Sequence, residues 1–288
     1  AKEMDSQRFS VRNRRSPMFG HHSTDFPELS IVIPAHNEAG RILPYLLQIT
    51  QYFRQHNRTY ELLVVDDGST DATASVVEDV SRANPAVRLL RLARCRGKGA
   101  AVRHGMQSAV GSLLLFADAD GATPIEEFAR LERALADDVD MAIGSRALAS
   151  RLPEFAVQAR FHRTLFGMLF NAAVRRSGIR GIADTQCGFK LFRRVIAQDL
   201  FAHASIDGFG FDLEVLYVAQ QRGYRIAEVP VNWSDQPGSK VRVLKDGIAM
   251  LRELATIKRN DHCGRYSLQP NSTGWGNVSA DRLRIPVR

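Results

Sequence analysis

The alternation of strands and helices in the first half of the chain is the feature that most constrains its fold. Five short apolar segments, rich in β-branched residues, alternate with segments in which apolar residues recur at helical spacing. The five segments are LSIVIPA, YELLVVDD, VRLLRLA, SLLLFADAD and VDMAIGSR. Such alternation is typical of βαβ units, and it predicts an α/β fold with a doubly wound, mostly parallel sheet.

The domain organisation follows from where this alternation starts and stops. The chain has 288 residues, 44% of them apolar, which suits one large domain with an extension. We expect a flexible basic arm over residues 1–27, a domain over 28–258 and a polar tail over 259–288. Within the domain, 28–150 carries the regular alternation and 151–258 follows a looser pattern.

The second half of the domain combines helices, strands and basic amphipathic segments. The pattern predicts a loop and strand over 181–194, a helix over 211–223 and a strand over 225–233. Residues 155–176 and 243–258 each combine Arg or Lys with large apolar side chains at helical spacing. These C-terminal amphipathic helices either pack on the domain or lie in a membrane interface, with their basic side chains at lipid phosphates.

The net charge of the chain limits the kinds of partner that it can bind. Lys and Arg number 39 against 31 Asp and Glu, a net charge of +8, which favours anionic partners. We find no zinc-finger, basic-zipper or RNA-binding signature, and we expect no nucleic-acid partner.

Cys95, Cys187 and Cys263 are too widely spaced to suggest a disulfide framework or a zinc site. No run of 18 apolar residues occurs, so we expect a soluble or peripheral protein in a reducing compartment.

Polar clusters follow four consecutive predicted strands at their carboxyl ends. The clusters are PAHNE, DDGSTD, RCRGKG and DADG. Each one alone could be ordinary turn chemistry, because Asp, Gly and Ser are common turn residues. Ligands of parallel α/β sheets bind beyond the carboxyl ends of the strands, so four such clusters at one rim predict a binding site.

Asp118 and Asp120 indicate a cation at this rim. They lie two apart at a strand end, so their side chains leave on the same side, near Asp66 and Asp67. Mg²⁺ typically uses one or two carboxylates together with substrate phosphates. The alternative, that each aspartate caps the following helix, explains one carboxylate but not both. The glycine loop RGKGAAVRHG is similar to phosphate-binding loops at helix N-termini, with Lys98 as a partner for a diphosphate.

Together these segments resemble a known family. SIVIPAHNE, LLVVDDGSTD, RGKGAAVRHG, FADADG and AIGSR, in this order, resemble inverting glycosyltransferases with a GT-A-type nucleotide-sugar fold. The later segments DTQCGFKLF, GFGFDLEVL and EVPVNWSDQPGSKV are similar to those of dolichyl-phosphate β-glucosyltransferases, which transfer glucose from UDP-glucose to a polyprenyl phosphate. The resemblance implies a nucleotide-sugar half over 28–150 and an acceptor half over 151–258.

The resemblance also implies which residues bind the donor. Four residues after the first strand would line the uridine: Pro34, Ala35, Asn37 and Glu38. Asp66 or Asp67 would accept a hydrogen bond from the uracil ring, and Lys98 would contact the nucleotide or its phosphates. Asp118 would face the ribose and the sugar, and Asp120 would hold Mg²⁺ or Mn²⁺, with Asp118 as a second candidate metal ligand.

On the acceptor side, the resemblance implies that Arg146 and Arg163 neutralise the acceptor phosphate. A phosphomonoester has a second pKa of about 6, so it is a competent nucleophile near neutral pH without a strong general base. A sugar hydroxyl acceptor would need such a base. Asp184 is the candidate base or orienting carboxylate, with a plain turn carboxylate as the alternative, and Gln186 would position the sugar or the metal.

Three other residues near these motifs have a lower priority. Asp212 and Glu214 lie two apart at a helix start, which does not place them on one helical face, and one of them could be a cap. Cys187 lies inside the DTQCGF motif, where we interpret it as a small buried residue.

The expected function is therefore metal-dependent, inverting transfer of glucose from UDP-glucose to a polyprenyl phosphate. We expect the enzyme to be peripheral on the cytoplasmic face of a membrane. One alternative is a glycosyltransferase that uses another nucleotide sugar, such as GDP-mannose, or a hydroxyl acceptor. The other is a basic module without enzymatic activity that binds nucleic acid or an anionic membrane, for which Asp120→Ala would leave binding intact.

Overall fold

The computed structural model is built around a β-sheet of seven strands. The structure describes residues 26–136, 138–158, 174, 178–236 and 243–267. Within these ranges the strands are β1 (Leu29–Ala35), β2 (Tyr60–Asp66), β3 (Val87–Arg91), β4 (Leu113–Ala117), β5 (Met141–Ser145), β6 (Val157–Gln158), β7 (Phe189–Arg193), β8 (Ile226–Pro230) and β9 (Trp233–Ser234).

Seven of these strands form one mixed sheet. Its order is β3-β2-β1-β4-β7-β5-β8, and β6 pairs with β9 in a separate parallel ribbon. Within the large sheet only β7 runs antiparallel to its neighbours, β4 and β5. The prediction of an α/β fold with a mostly parallel sheet is confirmed.

The helices connect the strands and cover the sheet. They are α1 (Ile42–Gln55), α2 (Thr73–Ala83), α3 (Lys98–Ser108), a 3₁₀ turn (Ile125–Glu127), α4 (Phe128–Ala134), α5 (Arg146–Ala149), α6 (Arg194–His203), α7 (Phe211–Gln221) and α8 (Val243–His262). Among the described residues, no helix combines the length and the apolar character that crossing a bilayer requires.

Two apolar cores lie on opposite faces of the sheet. Strand β1 is buried along its whole length, as expected for a central strand covered on both sides. Successive side chains of β1 point to opposite faces of the sheet. Val32 packs in the core beneath α3, α6 and α7, whereas Ile31 and Ile33 pack in the core beneath α1 and α4. The predicted double winding is thus confirmed, and it holds the carboxyl ends of β1, β2 and β4 rigidly at one rim.

Three features differ from the sequence prediction. Helix α6 was not predicted, and β7, predicted only as part of a loop and strand, inserts between β4 and β5. The helix predicted over 155–176 is wrong at its start, where Val157–Gln158 forms β6, and residues 159–173 and 175–177 lie outside the described part of the chain.

The start of the predicted polar tail belongs to the folded domain. Helix α8 continues to His262, and Tyr266 beyond it is buried. The Tyr266 hydroxyl donates to Glu214 Oε1 at 2.7 Å, which ties this segment to α7. The basic arm lies outside the described residues except for Phe26 and Pro27, and the same holds for residues 268–288 of the tail.

Candidate active site

A cavity of about 280 Å³ lies at the rim where β1, β2 and β4 end. Seven of the predicted site residues line it: Pro34, Ala35, Glu38, Asp67, Lys98, Asp118 and Asp120. The sequence interpretation did not single out several other lining residues, among them His36, Arg41, Cys95, Gly97 and Phe209. The first four of these lie in or beside polar clusters, but nothing in the sequence indicates that Phe209 reaches the same cavity.

Two residues expected at the uridine support the loops instead of lining the cavity. Asn37 has a φ of 55°, and its side-chain oxygen accepts the N–H groups of Thr70 at 2.8 Å and Asp71 at 3.2 Å. The buried Asp66 carboxylate accepts the N–H of Ser69 at 2.9 Å. Both side chains therefore hold the loops after β1 and β2 together. Neither is among the residues that line the cavity, and their contact with the uridine stays a prediction.

The glycine loop is bound by protein groups at the positions where a phosphate was expected. The Asp67 carboxylate accepts the N–H groups of Arg96 at 2.7 Å and Gly97 at 2.8 Å. At the start of α3, the N–H of Ala100 donates to the carbonyl oxygen of Asp207 at 3.2 Å. Because protein acceptors already bind these N–H groups, the groups are not available to a phosphate as they would be in a phosphate-binding loop.

Close packing explains why the glycine loop has glycine at positions 97 and 99. A Cβ at Gly97 would lie 2.4 Å from the carbonyl oxygen of Asp207, and a Cβ at Gly99 would lie 2.4 Å from that of Ile206. Gly97 also has a φ of 117°, which favours glycine. The glycines thus let the loop that carries Phe209 pack against the start of α3.

Lys98 provides part of the positive charge that the two aspartates require. Its Nζ lies 2.6 Å from Asp118 Oδ1. Burial tends to lower the pKa of Lys98, but Asp118 and Asp212 outweigh burial and raise it. Three aromatic rings surround the ammonium group at cation–π distances of 5.3–6.0 Å: Phe116, Phe209 and Phe211.

Asp120 keeps an excess of negative charge at the rim. Burial raises the pKa of its carboxyl and the Asp118 charge raises it further, against smaller opposing effects of the Ala122 N–H, Arg41 and Lys98. Its Oδ1 accepts the N–H of Ala122 at 3.1 Å. Two carboxylate groups at one rim, one of them with a raised pKa, fit a divalent cation with oxygen ligands.

Gly188 makes room for the Asp118 carboxylate. The Asp118 N–H donates to the Gly188 carbonyl at 3.0 Å, and a Cβ on Gly188 would lie 2.0 Å from Asp118 Oδ2. The glycine of the DTQCGF motif therefore permits a close contact that any side chain would prevent. The preceding Cys187 is fully buried, and burial raises the pKa of its thiol to about 12, as suits an inert core residue.

Asp184 holds Arg146 in a fixed orientation beside this rim. Asp184 Oδ2 accepts from Arg146 N at 2.9 Å and from Nε at 2.7 Å, and Oδ1 accepts from Nη2 at 2.8 Å. Burial would raise the pKa of Asp184, but Arg146 outweighs burial and holds it below its usual value. The guanidinium carbon also lies 5.3 Å from the Trp233 ring centroid. Such a carboxylate is suited to orienting Arg146 and poorly suited to accepting a proton.

The segment between Asp184 and Gly188 carries two buried polar groups without a hydrogen-bond partner in the described part of the chain. Gln186 Nε2 and Thr185 Oγ1 are buried and make no hydrogen bond to any residue that the structure describes. Such groups are costly unless a ligand or water satisfies them. Arg163 lies outside the described residues, so its predicted contact with the acceptor stays a prediction.

Asp212 and Glu214 have structural roles. Asp212 forms a buried ion pair with Lys190 at 2.6 Å. Glu214 accepts the N–H groups of Ser205 at 2.7 Å and Ile206 at 2.8 Å, which fixes the loop before Phe209. Neither group belongs to the residues that line the cavity.

Comparisons with solved structures agree with this architecture. The glucosyl-3-phosphoglycerate synthase of Mycobacterium tuberculosis in complex with UDP aligns with a TM-score of 0.59 at 21% identity, over 83% of this chain and 80% of that one. A structure of the same synthase with Mn²⁺ and UDP-glucose aligns with a TM-score of 0.56 at 20% identity, over 83% and 79% of the chains. At this level of identity the likeness shows a shared fold.

Sequence comparisons are more specific. The family model described as glycosyl transferase family 2 matches residues 30–201. A dolichyl-phosphate beta-glucosyltransferase of Drosophila melanogaster is 42% identical over 244 residues, 80% of this chain and 74% of that protein. The Homo sapiens protein of the same name is 36% identical over 255 residues, 84% and 78% of the two chains. The chain therefore belongs to glycosyl transferase family 2, with dolichyl-phosphate beta-glucosyltransferases among its relatives, and it is a glycosyltransferase.

Proposed function

We propose that this enzyme transfers glucose from UDP-glucose to a dolichyl-type polyprenyl phosphate, with inversion and with help from a divalent cation. The names of the curated relatives support glucose and the lipid phosphate. The structural neighbour that binds UDP-glucose with Mn²⁺ supports the donor and the metal. The single observation that carries the proposal is the pairing of Asp184 with Arg146, because it holds a cation in a fixed orientation and leaves the Asp184 carboxylate poorly suited to act as a base.

The donor would lie across the cavity with its diphosphate near Lys98. Pro34, Ala35 and Asp67 line the part of the cavity that we assign to uridine. Lys98, which also lines the cavity, can exchange its contact with Asp118 for a phosphate oxygen, because an ammonium group has three donors on a flexible stem. A divalent cation held by Asp120 and Asp118 would supply charge neutralisation for the departing UDP.

The acceptor phosphate would bind at Arg146. Asp184 uses Nε and Nη2 of the guanidinium group, so Nη1 is directed elsewhere and can donate to a phosphate oxygen. A phosphomonoester with a second pKa of about 6 is already an anion near pH 7. Its oxygen can attack C1 of glucose as the bond from C1 to the UDP oxygen breaks, and no proton has to be removed. We assign to Gln186, whose Nε2 makes no hydrogen bond to a described residue, the role of a donor to a sugar hydroxyl.

A surface beside the domain is suited to the membrane that contains such an acceptor. Helix α8 exposes Ile248 and Leu251, 50% and 44% accessible, on the same side as the exposed Arg252. Apolar side chains beside an arginine are typical of helices that lie in the membrane interface. We infer a peripheral enzyme on the cytoplasmic face of a membrane.

A panel of labelled nucleotide sugars tests the donor. The chain is incubated with dolichyl phosphate, Mg²⁺ or Mn²⁺, and UDP-glucose, UDP-galactose or GDP-mannose in turn, and the organic extract is counted. The proposal expects label from UDP-glucose, abolished by EDTA and by Asp120→Ala. Label from GDP-mannose alone would contradict the assignment of the donor, and label that persists in EDTA would contradict the assignment of the metal.

A further inference from the structure

We propose that His36, Asp67 and Cys95 form a second cation site, selective for borderline ions such as Zn²⁺, in the wall of the donor cavity. One donor atom from each side chain, a nitrogen, an oxygen and a sulfur, lies within 4.8 Å of the others. The three residues follow β1, β2 and β3 in turn, so the parallel sheet brings together groups that are far apart in sequence. All three line the same cavity.

The distances suit a tetrahedral ion. Zn²⁺ binds nitrogen, oxygen and sulfur at about 2.0–2.3 Å, which spaces tetrahedral ligands by about 3.3–3.8 Å. Cys95 Sγ already lies 3.4 Å from Asp67 Oδ2. A histidine ring nitrogen lies within 4.8 Å of both, so it needs a shift of at most about 1.5 Å from that upper limit. Three protein ligands leave a fourth position for water.

Hydrogen bonds already orient two of the three ligands. His36 Nδ1 lies 2.8 Å from the carbonyl oxygen of Asp67, which can only accept, so this nitrogen carries the proton and Nε2 has the lone pair. Asn37 Nδ2 lies 3.3 Å from Nε2, and the ion would replace it. The N–H groups of Arg96 and Gly97 hold the Asp67 carboxylate in place. Oδ1 keeps a second lone pair, and the second lone pair of Oδ2, which accepts from the Cys95 thiol, becomes available when that thiol loses its proton.

The two cation sites of the cavity differ in chemistry. Asp118 and Asp120 offer only oxygen, which suits Mg²⁺ or Mn²⁺, whereas a site with sulfur and imidazole favours Zn²⁺ or Co²⁺. Binding as the thiolate forms a metal–sulfur bond at Cys95 and releases its proton to water. Because the three ligands line the donor cavity, with Asp67 in the part that we assign to uridine, the bound ion excludes the donor. This consequence, unlike the site itself, rests on the proposed function.

Cobalt absorption tests the site directly. Co²⁺ bound to a thiolate gives a sulfur-to-metal charge-transfer band in the near ultraviolet, which an all-oxygen site does not give. The full chain is titrated with Co²⁺ as the wild type, as Cys95→Ser, and as Cys263→Ser, which removes the other exposed free cysteine. We expect the band in the wild type and in Cys263→Ser, its loss in Cys95→Ser, and at least about tenfold weaker binding in His36→Gln. One equivalent of Zn²⁺ should bleach it.

The outcomes separate the site from the proposed function. Absence of the band in the wild type, or its persistence in Cys95→Ser with an unchanged melting temperature, would overturn the site. Saturating UDP with Mg²⁺ should suppress the band, and Zn²⁺ should raise the apparent KM for UDP-glucose. If UDP binds by calorimetry and the band forms undiminished, competition between ion and donor is refuted while the site stands. If UDP does not bind at all, the proposed donor fails and the cobalt result still decides the site.

Discussion

Replacing Gly188 with alanine tests how closely the site depends on the position of Asp118. The new Cβ would lie 2.0 Å from Asp118 Oδ2 and 2.3 Å from its Cγ. Carbon and oxygen atoms in contact normally lie about 3.3 Å apart, so the carboxylate must move by roughly 1.3 Å. Gly188 is not among the glycines with positive φ, so alanine fits the backbone and the effect falls on the Asp118 side chain.

The expected cost falls on catalysis more than on stability. A displacement of about 1 Å at a catalytic group costs about 100-fold in rate, or about 2.7 kcal/mol of transition-state stabilisation. The Asp118 side chain is 34% exposed and can rotate into the cavity, so we expect the melting temperature to change little. The assay compares kcat/KM for glucosyl transfer with the melting temperature of the same preparation.

Gly40→Ala is the matched control. No atom lies within 4 Å of a Cβ at this position, which belongs to the same rim, and its φ is not positive. We expect kcat/KM within about twofold of the wild type for this variant. The reasoning is refuted if Gly188→Ala retains kcat/KM within about threefold of the wild type, or if its loss only parallels unfolding.

Three further predictions concern buried charges. Lys190→Met leaves the Asp212 carboxylate buried without the ammonium group that lies 2.6 Å from it, so the free energy of unfolding measured by urea titration should fall by about 3–5 kcal/mol. The double variant Lys190→Met, Asp212→Leu should regain part of that loss. Asp184→Asn should raise the KM for the lipid phosphate about tenfold by releasing Arg146, with UDP affinity unchanged in calorimetry; a lost acidic limb of the rate profile would instead make Asp184 a base. Because the pKa of Asp120 is raised, its protonation should weaken Mn²⁺ binding at a pH above the usual aspartate range near 4. Electron paramagnetic resonance measures the bound Mn²⁺, and a Mn²⁺ affinity that stays constant down to pH 4 would contradict this prediction.

The sheet and the rim could be predicted because both depend on local patterns. Short, continuous apolar runs identify β1, β2 and β4 as buried strands, and in a parallel sheet their carboxyl ends must meet. The aspartates of DADG therefore fall at the cavity by topology alone. The sequence interpretation assigned Lys98 to a diphosphate and did not anticipate that its ammonium group contacts Asp118 at 2.6 Å.

Long-range packing determines what could not be predicted. Strand β7 pairs between β4 and β5 although it follows them by many residues, and no local pattern encodes that insertion. The contact of Gly188 with Asp118 depends on this pairing, as the position of Phe209 depends on the packing of its loop against Gly97. Likewise, the sequence allows Asp184 to be a turn carboxylate or a base, and only the structure shows that the Arg146 guanidinium group is hydrogen-bonded to its carboxylate.

The most direct test of the account compares two acceptors that differ by one phosphate group. The chain is incubated with radiolabelled UDP-glucose and Mn²⁺, and with either dolichyl phosphate or dolichol, and the label in the organic phase is measured. We predict label with dolichyl phosphate only, released as glucose by mild acid, because Arg146 would bind the phosphate and Asp184, paired with Arg146, is poorly suited to activate a hydroxyl. Comparable label on dolichol, or none on dolichyl phosphate, would contradict it.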